Sequence, residues 1–157
     1  MDFAWTPEQE ALRGHARKVA TEAVERYGRT NDSWINGFSK EFGKEMAAHG
    51  WIGMTWPTEF GGGGQPPINR LIVGEELITA GAPIAAVWFA DRQMGPTLIR
   101  FGTPDQQGEF LPGILSGETT WCIGMSEPSD RVGGHVPGLG AEGELLGGPV
   151  EVHREGL

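Results

Sequence analysis

Cysteine is all but missing here: Cys122 is the one thiol in 157 residues, so no intrachain disulfide can form and a reducing compartment is the expected setting. Basic charge is also short. Twelve Lys and Arg stand against 21 Asp and Glu, a formal charge of -9, which argues against nucleic acid and anionic membrane surfaces as partners. No apolar run is long enough to cross a bilayer, and Met1-Asp2-Phe3-Ala4-Trp5-Thr6 offers neither a basic nor an apolar leader segment. A soluble, cytoplasmic protein is expected. The four histidines, His15, His49, His135 and His153, lack ligand spacing, and no metal site is expected.

What the chain does have is helix punctuation. Thr6-Pro7-Glu8-Gln9 reads as a helix start, because the Thr6 hydroxyl can accept from the third helical amide, Pro7 needs no donor there, and Gln9 can reach back. Leu12, Ala16, Val19, Ala20 and Ala23 then recur at helical spacing, predicting an amphipathic helix from Pro7 to about Tyr27. Asn31-Asp32-Ser33 breaks the pattern; Phe38, Phe42, Met46 and Ala47 predict a second helix that stops at His49-Gly50. A third runs from Ile68 to Ala80. A fourth, apolar nearly all round and therefore buried, runs from Ile84 to Phe101 with a kink at Gly95-Pro96. Thr103-Pro104-Asp105-Gln106 repeats the first start signal and opens a short helix closing near Leu115 and Gly117.

The alternation of Thr120, Cys122 and Gly124 with Trp121, Ile123 and Met125 predicts one strand over Thr119 to Ser126, which would bury Cys122 as a structural thiol. Gly61 to Gly64 lacks the Gly-Lys-Ser/Thr of a phosphate loop and reads as a flexible turn. Residues 129–157 hold seven glycines from Gly133 to Gly148, no aromatic residue and no period, and are expected to be disordered.

Trp121-Cys122-Ile123-Gly124-Met125-Ser126-Glu127-Pro128, with Phe101-Gly102-Thr103-Pro104-Asp105-Gln106-Gln107, Phe110-Leu111-Pro112 and Gly117-Glu118 before it, resembles the junction between the helical and middle β-domains of the acyl-CoA dehydrogenase family. Trp56-Pro57, Glu59, Phe60 and the glycine cluster are similar to the same family. The fold class implied is all-α, with an N-terminal helical domain over 1–117, the first strand of an incomplete middle domain over 118–128, and the tail over 129–157. The resemblance stops at Pro128. One back-translation of Gly147 to Leu157, shifted by one nucleotide, reads like the family's middle-domain Trp-Asn-Gly-Lys-Trp stretch, so a truncated or frameshifted chain is expected.

The resemblance also implies chemistry. FAD would lie against the strand, with Ile123, Met125 and Ser126 at the flavin-contacting positions. Val87, Ala90, Asp91 and Met94 fall on the helix that borders the acyl pocket in the family, though core packing explains an apolar helix equally well. The catalytic carboxylate comes from a later domain in the family, so neither Glu75 nor Glu76 is assigned that role. The implied reaction is α,β-dehydrogenation of acyl-CoA to trans-2-enoyl-CoA, with an electron-transfer flavoprotein or similar acceptor and homo- or hetero-oligomeric assembly. Binding of anionic coenzyme A would call for local basic groups in so acidic a chain. Alone, the chain is expected to bind FAD poorly and to be inactive. The alternatives are a non-catalytic module that pairs with a full-length paralogue, and a product with no function.

Overall fold

The structure, a computed structural model, describes residues 4–123. Residues up to Cys122 form one unit, and Ile123 is the described residue of a second. Six α-helices make the first unit: α1 (Pro7–Tyr27), α2 (Lys40–Ala48), α3 (Pro67–Ala80), α4 (Ala85–Phe89), α5 (Gly95–Phe101) and α6 (Pro104–Leu115). A π-helical segment (Ala90–Met94) joins α4 to α5, and a 3₁₀ turn (Thr58–Phe60) precedes α3.

Both start signals form as reciprocal caps. Thr6 accepts from the Gln9 amide while Gln9 accepts from the Thr6 amide, and Thr103 and Gln106 do the same. The buried stripe of α1 is Ala16, Val19, Ala20 and Ala23, and its small side chains let α3 pack closely along it. A buried carboxylate, Glu76 on α3, fastens the pair: it accepts from Arg13 Nε at 2.8 Å, and from Arg17 Nε at 2.8 Å and Nη2 at 2.9 Å.

Two expectations need correction. Phe38 is not on the core face of α2; Ser39 caps that helix, and Phe38 lies outside it, 62% exposed, in an isolated antiparallel bridge with Ile84. The glycine cluster is not a loose turn. The amides of Gly62, Gly63, Gly64 and Gln65 donate to Pro57, Gly53, Trp56 and Met54 carbonyls at 2.9–3.2 Å, laying one backbone on another. A Cβ on Gly62 would sit 2.3 Å from the Trp56 carbonyl oxygen, and one on Gly63 2.8 Å from that of Met54, so the glycines are there for close approach.

The kink expected at Gly95-Pro96 is realised as a widened turn. Pro96 has no N–H to give Arg92 and its ring would press on that carbonyl. The preceding turn opens, and the Gly95 amide donates five residues back, to the Ala90 carbonyl. As expected for an apolar helix, Ile84, Ala86, Val87 and Ala90 are buried. Residues 119–123 form no strand, since a lone strand has no ladder to complete, and the rest of the predicted strand lies outside the described residues. Cys122 is exposed rather than buried for the same reason. The tail from Ser129, with His135 and His153, also lies outside the described residues. Among the described residues no helix is long and apolar enough to cross a membrane.

Candidate functional site

Val87 and Asp91, like Trp88 and Arg92, stand four residues apart, so they share one face and line a cavity with Met46, Met54, Val73 and Leu77. Its volume is ≈ 20 Å³, room for a single water. Asp91 is 7% exposed. Its Oδ1 accepts the Gly53 amide at 2.7 Å, and its own carbonyl accepts the Trp56 indole N–H at 3.1 Å. Burial pushes the Asp91 carboxyl above the usual aspartate range, against the pull of the Gly53 amide, Arg70 and Arg92.

The Arg92 guanidinium carbon sits over Trp88, 3.8 Å from the ring centroid. Burial, and after it the charge of Arg70, lower its pKa. Arg70 and Arg92 together line a second, open groove with Pro67, Ile68 and Leu71 on the first turns of α3. The guanidinium crosses α3 at Gly74, where a Cβ would meet Arg92 Nη2 at 2.9 Å.

Of the pocket residues named from sequence, Val87 and Asp91 line the cavity, whereas buried Ala90 faces the core and half-buried Met94 packs against it. Of the flavin positions, Ile123 is half-buried, and Met125 and Ser126 lie outside the described residues. Trp121, just before them, packs edge-on against Phe110, and its indole N–H is buried without a hydrogen-bond partner among the described residues. No sequence motif singles out Arg70, Trp88 or Arg92; Arg92 stands in the polar run Asp91-Arg92-Gln93 that interrupts the apolar residues 84–101.

His15 and His49 meet, 3.3 Å apart between ring nitrogens, and His49 stacks on Trp51. No third His, Cys, Asp or Glu joins them among the described residues as a metal ligand could. Glu76 is held below the usual glutamate range, first by the Arg17 hydrogen bonds and then by those of Arg13, against its burial. A carboxylate so neutralised is a poor proton acceptor.

With this geometry in place, comparison with known proteins is specific. The family described as acyl-CoA dehydrogenase, N-terminal domain, matches residues 6–118. The acyl-CoA dehydrogenase IpdE1 of Mycolicibacterium smegmatis is 38% identical over 108 residues, 69% of this chain and 27% of that protein. FadE26 of Mycobacterium tuberculosis, also an acyl-CoA dehydrogenase, is 32% identical over 134 residues, 82% of this chain and 33% of its own length. Among solved structures, the Tcur3481-Tcur3483 steroid ACAD superposes with a TM-score of 0.70 at 31% identity, covering 83% of this chain and 34% of that one. The ChsE4-ChsE5 complex from Mycobacterium tuberculosis gives 0.68 at 31% identity, covering 82% and 33%. The chain thus spans about a third of the relatives it matches.

Proposed function

Since the chain belongs to the acyl-CoA dehydrogenase family through its N-terminal domain, we propose that it forms the helical wall of a site that dehydrogenates acyl-CoA thioesters between the α and β carbons. The observation that carries this reading is the continuous family match over 6–118, which takes in all six helices. When bound in such a site, FAD would supply a hydride acceptor for the β-hydrogen, and a carboxylate would be needed to take the α-proton. Val87, Ala90, Asp91 and Met94 are proposed for the acyl side of the wall, and Ile123, Met125 and Ser126 for the flavin side.

The cavity beside Asp91, at ≈ 20 Å³, takes a water and not a tricyclic ring, so these helices are proposed to serve as one wall. Nor is a base assigned among them: Glu76 is locked between two arginines and Asp91 is committed to the Gly53 amide. The base and most of the flavin contacts are proposed to come from polypeptide beyond the described residues or from a partner subunit. A second reading, a non-catalytic module that pairs with an acyl-CoA dehydrogenase subunit, is supported by the two-component names of both similar solved structures.

A dye-reduction assay with excess FAD tests both. Short, medium, long and steroid-derived acyl-CoAs are offered to the chain alone and to the chain mixed with a full-length family member. No turnover is expected from the chain alone. Acceleration or altered chain-length preference on mixing supports a contributed wall, and a stable mixed complex of unchanged activity supports the pairing module. No complex and no effect with any family member would overturn both readings.

A further inference from the structure

Three of the seven described arginines are paired with carboxylates: Arg13 and Arg17 bind Glu76, and Arg26 binds Glu45 through both terminal nitrogens at 2.7 and 2.6 Å. Arg70 and Arg92 differ from the rest in lining one cavity together. Among the described residues no carboxylate lies within ion-pair distance of either, yet they share the walls of both the cavity and the groove beside it. Asp91, the acidic group in that wall, is turned to the Gly53 amide. The first turn of α3, which forms the floor of the groove, contains no acidic residue and no capping side chain.

From this geometry we propose that Arg70 and Arg92 form a binding site for an oxyanion, a carboxylate or a phosphate carried on a partly apolar molecule. Two half-buried cations that repel each other are stabilised by an anion between them, and guanidinium groups suit such an anion by their planar donor fork. The cation–π contact with Trp88 holds the Arg92 guanidinium in place in advance, so little side-chain freedom is lost on binding. Gly74 gives the guanidinium its passage over α3. Pro67, Ile68 and Leu71, the last 59% exposed, supply an apolar surface beside the charges. The groove, ≈ 370 Å³ and open, has room for more than a bare ion. This site needs neither flavin nor turnover, so it stands or falls separately from the dehydrogenase reading.

The test follows the arginine Nε–H resonances of the ¹⁵N-labelled full chain during titration with octanoate, octanamide, inorganic phosphate and coenzyme A. Octanoate or coenzyme A is expected to shift the Arg70 and Arg92 signals while those of Arg13 and Arg17 stay in place. Octanamide, which keeps the apolar part without the charge, is expected to bind about tenfold more weakly than octanoate. Binding of octanoate without phosphate or coenzyme A assigns a carboxylate ligand, and the reverse assigns a phosphate. Arg70→Gln and Gly74→Ala, which forces Arg92 aside, should each weaken binding, while Asp91→Asn should strengthen it by removing the local negative charge. Equal binding of octanoate and octanamide, or no shift of Arg70 and Arg92 with any probe, would overturn the site, and the wild-type titration decides this without any variant.

Discussion

Glu76 shows how one carboxylate can tie two helices. It is nearly buried, and its two arginines are 29% and 63% exposed, so the attraction is partly screened and its value lies in keeping a buried acceptor satisfied. Glu76→Gln should cost about 2 kcal/mol at neutral pH. The folded pKa lies below the ordinary 4.5, so the stabilisation is complete above that value and is lost as pH falls through the folded one. Thermal midpoints of wild type and variant should therefore differ at pH 7 and converge as pH falls below 4.5 and through the folded value; a gap unchanged by acid would disprove the assignment. Asp91 has the opposite sign. Its folded pKa is raised above the ordinary 3.8, so the native state keeps its proton to higher pH than the unfolded chain does, and stability declines as pH rises through the folded value. Asp91→Asn preserves an acceptor for the Gly53 amide and should match or exceed wild-type stability at pH 8, its advantage shrinking toward pH 4. A large loss at pH 8 would show that the charge itself is needed.

At the scale of elements, glycine placement separates what sequence discloses from what it conceals. Gly14 in α1 and Gly108 in α6 meet nothing within 4 Å of an added Cβ, so alanine there should stabilise by about 0.5–1 kcal/mol. Gly95 differs. Its Cβ would fall 1.9 Å from Trp56 Cζ2, and Trp56 is held by its bond to the Asp91 carbonyl. Gly95→Ala should cost at least about 1–3 kcal/mol and shift tryptophan emission; a variant as stable as the Gly14→Ala control would refute the packing. The contrast explains the legibility of the fold. The caps at Thr6 and Thr103 and the stops at Gly50 and Gly117 are legible because cap chemistry is local to four or five residues. Pro96 announces an irregularity, but whether a helix bends or widens depends on what Trp56 leaves room for. The backbone-on-backbone seat of Gly62 and Gly63, the exposure of Cys122 and the meeting of Arg70 with Arg92 depend on contacts between distant segments, which no periodicity encodes. The resemblance places Val87 and Asp91 on a wall, yet the arginine pair beside them is visible only once the π-helical segment sets Arg92 across α3 at Gly74.

At the scale of the whole molecule, several large apolar side chains of the described surface stand open to water. Ile35, Phe38, Leu71 and Phe101 are each more than half exposed. Ile35, Phe38 and Phe89 line one groove together with Trp121 and Cys122. Contiguous apolar surface of this kind drives association, and the net charge of -9 opposes it only at long range and low salt. The purified chain is therefore expected to associate as concentration rises, and more readily at higher salt. Cys122 provides an internal reporter, being the one thiol of the chain and exposed at that groove. If the groove is the contact, Cys122 reactivity toward a thiol reagent should fall with concentration in step with the rise in mass by light scattering, and Phe38→Ser should weaken both effects. Association that leaves Cys122 equally reactive would move the contact to another face, such as that of Phe101. A monomer at every concentration and salt would show that these side chains are tolerated in water, and that a partner subunit is not needed to cover them.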